Sequence, residues 1–233
     1  MSHGQNALVN TLLADLDRVC PQPISVIVTE NIPDRVGLVM TGLGFPVRHL
    51  VNAAPKGFGS NHNAAFAYCS SPVYCVVNPD IRLDHDPLAA LLEALQAPSV
   101  GVAGPLVRNP AGGVEDSARR FPTVTSLLRK FIRPSRGPDY IRGDGPVRVD
   151  WIAGMFMAFR AEAYRAVGGF DEKFFLYYED VDICARLKKR GLGACFVPAA
   201  SVTHDARRTS RRDLRFMGIH AASALRYLMR SYR

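Results

Sequence analysis

The sequence predicts an α/β domain built on a mostly parallel, doubly wound sheet flanked by helices. Two observations carry this expectation. β-Branched runs, ISVIVT at 24–29 and VYCVV at Val73–Val77, alternate with segments whose apolar residues recur at helical spacing. Loops rich in Asn, Gly and Asp follow the strand-like runs, at the carboxyl ends where such sheets hold ligands. At 233 residues, with 48% hydrophobic and 21% charged side chains, the chain is long and apolar enough for a substantial core, which excludes a disordered chain.

Residues Asn6–Val19 place Leu8, Leu12, Leu13 and Leu16 on one helical face. The run at 24–29, bounded by Pro23 and by Asn31-Ile-Pro, reads as a buried strand. A short strand at Val47–Val51 precedes a glycine-rich turn and a helix over 61–68. Strand Val73–Val77, a helix over 87–96 and a strand over 100–103 follow. Gly112-Gly113 marks a turn, and PSRGPDYIRGDGP at 134–146 is loop chemistry. Then come an apolar segment at 151–159, a short helix from Ala161, a helix over 179–190 and a strand over 194–197. A doubly wound sheet opens on a strand, yet the first helix starts at Asn6, so the first strand is expected to be missing from the chain or to lie upstream of Met1.

The formal charge of +8 is unevenly spread. Residues 204–233 carry a net +6 and residues 1–203 only +2, so the chain is not a general polycation. The amino terminus shows neither a basic region nor an apolar core of a secretory signal. No window supplies the roughly 18 apolar residues of a spanning helix. Cys20, Cys69, Cys75, Cys184 and Cys195 form no CxxC pair, which weighs against a disulfide framework or zinc knuckle and fits a reduced, cytoplasmic setting.

Four segments offer chemistry. Asn78-Pro79-Asp80 follows a buried strand, so Asp80 is either a carboxylate for a divalent cation on a diphosphate or a strand-ending Asx turn. The stretch from Asn52 through Gly57 to Asn61 opens a helix with flexible glycines, and reads as a ligand loop or as a structural turn. Glu179, Asp180 and Asp182 begin a helix after the aromatic run FFLYY. They either cap it against the macrodipole or include a desolvated general base. His204, with Arg207, Arg208, Arg211 and Arg212 beyond it, could meet a metal or phosphate, or form a solvated face.

In this order the segments resemble the inverting family 2 glycosyltransferases of GT-A fold, a Rossmann-like architecture, and within them the rhamnosyltransferase-like group. The similarity covers about residues 2–215 and is densest in WIAGMFMAFRAEAYRAVGGFDEKFFLYYEDVDICARLKKRG. NPDIRL, NAAPKGFGSNHNAAF and SARRFPT also look like this group's segments. The resemblance implies Asp180 as general base, with Glu179 and Asp182 as other candidates. It implies Mg²⁺ or Mn²⁺ at Asp80 and His204, and a nucleotide sugar near Glu30, Asn31, Asn52, Gly57, Asn61, Asn78, Asp80, Arg207 and Arg208. Trp151 and Gly154 would face the acceptor. Glu30-Asn31 stands where the family usually has Asp-Asn.

The expected organisation is a transferase domain over 1–210, with a nucleotide-sugar half at 1–104 and an acceptor half at 105–210. A basic amphipathic helix over 211–233 would follow. On that helix Leu214, Met217, Ala221, Leu225 and Leu228 share one side. They would pack on the domain or rest on anionic lipid at the inner face of the plasma membrane. The implied activity is transfer of L-rhamnose from dTDP-rhamnose to a glycan or lipid-linked glycan in surface polysaccharide synthesis. A catalytically impaired nucleotide-sugar-binding relative is one alternative. A basic nucleic-acid-binding module is another, but only Phe216 and Tyr227 interleave with the tail arginines, so no nucleic-acid partner is expected.

Overall fold

Two sheets of unequal size organise the chain in the computed structural model, which describes residues 1–126, 139–140, 143, 145–205 and 214–231. The first sheet has the order β1–β2–β3 and is parallel, from strands β1 (Ser2–His3), β2 (Val26–Ile32) and β3 (Val47–Val51). The second runs β4–β10–β6–β11–β5, with β8 added on β11. Its strands are β4 (Val73–Val77), β5 (Ile81–Arg82), β6 (Val100–Arg108), β8 (Val147–Val149), β10 (Phe156–Arg160) and β11 (Gly193–His204). Strands β7 (Ala118–Arg119) and β9 (Trp151–Ile152) form a small antiparallel pair. The helices are α1 (Asn6–Val19), α2 (Phe58–Phe66), α3 (Leu88–Ala94), α4 (Ala161–Ala166), α5 (Glu179–Lys189) and α6 (Leu214–Ser231).

Helix α1 ties the layers together. Its Val9 and Leu13 pack on Val28 of the first sheet, while Leu12 joins the cluster of Ile81, Leu91, Phe156 and Val202. The larger cluster gathers Tyr74, Trp151, Phe159, Tyr164, Phe170, Phe174 and Tyr178 beneath α4 and α5.

Several expectations are corrected. A first strand is present as the two residues of β1, paired parallel with β2 through Ser2 and Glu30. Ser2 Oγ and Asn6 Oδ1 lie 2.5 Å apart, so the entry to α1 is anchored on that strand. The larger sheet is mixed: β11 runs parallel to β6, but β10 lies antiparallel between β4 and β6. A strand covered on both faces reads as a continuous apolar run whichever way it points, and direction is invisible in such a run.

Strand β6 continues to Arg108 rather than ending at Ala103. Gly104 allows this, because a Cβ there would lie 2.2 Å from Ile152 Cγ2. Strand β11 likewise runs past Pro198 to His204, through a register shift between Val197 and Ser201 opposite Pro105 and Leu106. The unpaired residues sit where proline cannot donate to the ladder. This extension lets β11 pair antiparallel with β5, His204 opposite Ile81. The division drawn after residue 104 falls inside β6, and the one after residue 210 lies outside the described residues.

Helix α6 divides the expected apolar side between core and solvent. Ser223 and Tyr227 are buried and Ala224 and Leu228 pack on the main core, whereas Met217 and Leu225 are more than half exposed. The aromatic and hydroxyl partners waiting on α5's approach select that face, which a count of aliphatic residues misses.

Candidate active site

Strand β4 ends in Asn78-Pro79-Asp80, and the turn is fixed at both ends. The Asn78 amide donates to the Met155 carbonyl at 2.9 Å, and the Asp205 amide to the Asp80 carbonyl at 2.9 Å. The β5–β11 pairing then places His204 Nε2 3.3 Å from Asp80 Oδ2. On the other ring edge, His204 Nδ1 lies 2.8 Å from Glu115 Oε2. Burial alone would lower the imidazole pKa, but the hydrogen bonds the ring makes to the Asp80 and Glu115 carboxylates outweigh it and hold the ring above its ordinary value.

Asp80 Oδ1 is buried without a hydrogen-bond partner. A buried carboxylate oxygen left unpaired is costly. With an imidazole nitrogen alongside, this donor pair fits a divalent cation that takes its other ligands from a diphosphate and water. Among the described residues, no group of three or more ligating side chains forms a self-sufficient metal cage. Glu115 would then orient the ligating ring, as carboxylates commonly do behind metal-bound histidines. Sequence reading missed Glu115. Its one signal is the Gly112-Gly113 turn, which folds the chain back so that the Glu115 amide meets the Val107 carbonyl at 2.8 Å.

A second acidic centre stands at the start of α5. Tyr177 and Tyr178 adopt left-handed backbone, with φ of 68° and 70°. For non-glycine residues this costs about 1–3 kcal/mol each, so surrounding structure must hold the turn. The next residues are Glu179 and Asp180. Asp180 Oδ2 accepts from the Gly154 amide at 2.9 Å and Oδ1 from the Val181 amide at 2.8 Å. Burial raises the Asp180 carboxyl above the ordinary range, and the two amides and the Arg119 guanidinium pull it partly back. Burial raises Glu179 as well, reinforced by the Asp180 charge, and Glu179 Oε2 is buried without a partner. Arg119, within SARRFPT, also stands 5.6 Å from the Trp151 ring.

Asp182 faces elsewhere. It is 2% exposed, and its oxygens meet Arg186 Nε at 2.7 Å and Arg230 Nη1 at 3.1 Å. Two guanidinium partners make it a structural anchor. Trp151 is buried, its Nε1 donating to the Arg120 carbonyl at 2.9 Å, and Gly154 meets the site through its amide.

The asparagines expected on the nucleotide side converge on one another. Asn52 Nδ2 donates to Asn31 Oδ1 at 2.8 Å and to Asn61 Oδ1 at 2.6 Å. Asn31 also accepts from the Lys56 amide at 2.8 Å, and Asn61 Nδ2 donates to the Gly57 carbonyl at 2.9 Å. These amides shape the loop from Asn52 to Gly57, and their own groups are already engaged. Glu30 caps the far side, with Oε1 3.0 Å from Asn6 Nδ2 and Oε2 3.1 Å from His49 Nε2. Arg207 and Arg208 lie outside the described residues.

The loop is sewn to residues 170–175, ahead of α5. The Phe58 amide donates to the Phe175 carbonyl at 2.9 Å, which starts α2 earlier than the sequence suggested. A Cβ on Gly57 would lie 2.8 Å from that same carbonyl oxygen, so glycine is required by this approach. Asn63 Nδ2 donates to the Phe170 carbonyl at 2.9 Å and its Oδ1 accepts from the Phe170 amide at 2.9 Å.

Known proteins resemble this chain in sequence and in fold. A Mycobacterium tuberculosis protein named N-acetylglucosaminyl-diphospho-decaprenol L-rhamnosyltransferase is 31% identical over 226 residues, covering 86% of this chain and 73% of its own. The Escherichia coli protein named rhamnosyltransferase WbbL is 30% identical over 244 residues, covering 99% and 91%. Mannosyltransferase PcManGT from Pyrobaculum calidifontis, solved with GDP-Man and Mn²⁺, superposes with a TM-score of 0.61 at 16% identity over 97% of this chain and 62% of that one. GalNAc-T7, solved with UDP, GalNAc and Mn²⁺, gives 0.59 at 14% identity over 81% and 38%. Both solved chains share the GT-A fold with this one, which spans less than two thirds of either. A family model described as glycosyltransferase like family 2 matches residues 26–218, from β2 into α6. The chain is therefore an enzyme of the family 2 glycosyltransferases.

Proposed function

We propose that the enzyme transfers L-rhamnose from dTDP-rhamnose to a glycan or lipid-linked glycan with inversion at the anomeric carbon, in surface polysaccharide synthesis. The observation that carries the reaction type is the separation of two carboxylate centres with different surroundings. Asp180 is held in place by the Gly154 and Val181 amides with its proton affinity raised by burial, whereas Asp80 presents an unpaired oxygen beside an imidazole. The sugar and acceptor class follow from the names of the Mycobacterium and Escherichia relatives.

In this reading Asp180 takes the proton from the acceptor hydroxyl as that oxygen bonds to the anomeric carbon. The bond from that carbon to the diphosphate oxygen breaks on the opposite face, and its electron pair leaves with the diphosphate. A Mg²⁺ or Mn²⁺ ion, held by Asp80 and His204, would supply charge neutralisation to the departing group. Asp80 and His204 orient that end, Glu115 fixes the ring, and Arg207 and Arg208 are the proposed further cations. The Asn31–Asn52–Asn61 network sets the loop, and Trp151 and Gly154 line the acceptor side. A panel of nucleotide sugars, titrated with Mg²⁺ or Mn²⁺ and then assayed for transfer, tests this. Preference for a nucleotide sugar other than dTDP-rhamnose would overturn the sugar assignment.

We also propose that α6 meets an anionic membrane surface. Met217, Ala221, Leu225 and Met229 recur at helical spacing and are all exposed, with exposed Arg226 beside them. Residues 204–233 carry a net +6, which suits acidic lipid. No described helix is long and apolar enough to cross a membrane, so the contact would be peripheral. Flotation with phosphatidylglycerol vesicles but not with phosphatidylcholine vesicles is the expected result; equal flotation would refute it.

A further inference from the structure

We propose that α6 is a positioning element for the catalytic helix, clamping the left-handed turn at Tyr177 and Tyr178 that aims Asp180. This rests on the reading of Asp180 as the base.

Four side chains of α6 reach the approach to α5 from one helical face. The His220 ring lies 5.2 Å from that of Tyr177 and 5.3 Å from that of Tyr178. Ser223 Oγ donates to the Leu176 carbonyl at 2.9 Å. The Tyr227 ring lies 5.7 Å from that of Tyr178, tilted by 37°, and Arg230 Nη1 reaches Asp182 Oδ1 at 3.1 Å. Positions 220, 223, 227 and 230 follow the spacing of a single stripe. Their targets bracket Glu179 and Asp180: Leu176 to Tyr178 lie before the pair and Asp182 lies just after it.

The turn needs such support. Tyr177 and Tyr178 are the non-glycine residues with positive φ among those described, and they are consecutive. Left-handed backbone at a bulky residue persists only where its neighbours over-determine it. The tyrosine rings are gripped by His220 and Tyr227, and the peptide before them is oriented by Ser223. Released, the turn would relax toward right-handed or extended backbone and swing the start of α5. Asp180 would then move relative to the Gly154 amide, while Asp80 and His204, built on other strands, would stay in place; the loop from Asn52 to Gly57 meets this segment at Phe175, ahead of the turn.

The full-length chain with Tyr227→Ala, Tyr227→Phe, or Ser223→Ala combined with His220→Ala tests this. In Tyr227→Ala and the double variant, kcat should fall about 10- to 100-fold, as expected for a misplaced catalytic group. The donor KM and nucleotide affinity should change much less than kcat. Amide hydrogen exchange over 176–181 should quicken, and Tyr227→Phe, which keeps the ring, should restore both readouts. Unchanged kcat and unchanged exchange in Tyr227→Ala and the double variant would overturn the proposal, as would equal losses in kcat and donor affinity. An Asp180→Asn control separates the two ideas. If that control turns over normally the base assignment fails, and the exchange measurement alone then decides whether α6 holds the turn.

Discussion

The Gly154 amide and the Asp180 carboxylate are joined by a 2.9 Å hydrogen bond. The next residue, Met155, accepts from the Asn78 amide at 2.9 Å. One short segment between β9 and β10 therefore touches both acidic centres, and fixes the proposed base against the turn that carries Asp80. In the proposed displacement, backbone groups would set the geometry of the two centres.

Asp180→Asn keeps an acceptor for the Gly154 amide but removes the proton acceptor. Turnover is expected to fall by about 10²–10⁴. Nucleotide-sugar affinity, measured by titration calorimetry, should stay as in the parent. Normal turnover would remove Asp180 from the mechanism.

The pH dependence follows from burial. Asp180 must be ionised to accept a proton, and its carboxyl is raised, so the acid limb of kcat/KM should lie above the ordinary aspartate value of about 3.9. An acid limb at that value would contradict the desolvated setting.

Glu179 gives a stability test with a definite sign. Its carboxyl is raised in the fold, so the native state holds this proton more tightly than the unfolded chain. Stability from this group is lost as pH rises from the ordinary glutamate value, about 4.3, through the raised one. Glu179→Gln should therefore raise Tm more at pH 8 than at pH 4, and an equal change at both would refute the assignment.

Glu115→Gln should leave the fold intact and weaken Mn²⁺-dependent donor binding by about 10- to 100-fold. Asp80→Ala should remove the metal dependence, with EDTA-treated parent as reference. Donor affinity indifferent to both changes would show that this cluster does not hold the cation.

Gly104→Ala should destabilise by about 1–3 kcal/mol through overpacking against Ile152. Urea unfolding would measure it. Combined with Ile152→Ala, the loss should be smaller than the sum of the single losses, since the offending methyl is gone.

How much was legible in the sequence depended on what each feature is made of. Helix α1 and strands β3 and β4 appear with the expected bounds because period and turn residues report them directly. Asp80 and His204 were readable as candidates, but their pairing depends on β11 passing Pro198, and proline reads locally as an ending. The antiparallel insertion of β10 is a long-range fact with no local signature, and the Gly112-Gly113 turn is the one local hint of the approach of Glu115. Asn31, Asn52 and Asn61 were recognisable as special, yet only coordinates show their amides bonded to each other. On α6 the aliphatic stripe left packing on the domain or on lipid open, and the fold divides it: Leu228 packs inward beside Ser223 and Tyr227 while Met217 and Leu225 stay exposed.

The seam between α2 and residues 170–175 also bears on how the protein comes into being. Asn63 and Phe170 are 107 positions apart, and the donor-side loop takes its shape from contacts with residues that a ribosome releases much later. Closing so long a loop is a slow, late event in folding. A nascent chain ending at the middle of β6 would have the parallel sheet and the asparagines, but not the wall that Phe175 provides. In the proposed reading, the donor pocket is therefore complete only once residues 170–175 are in place.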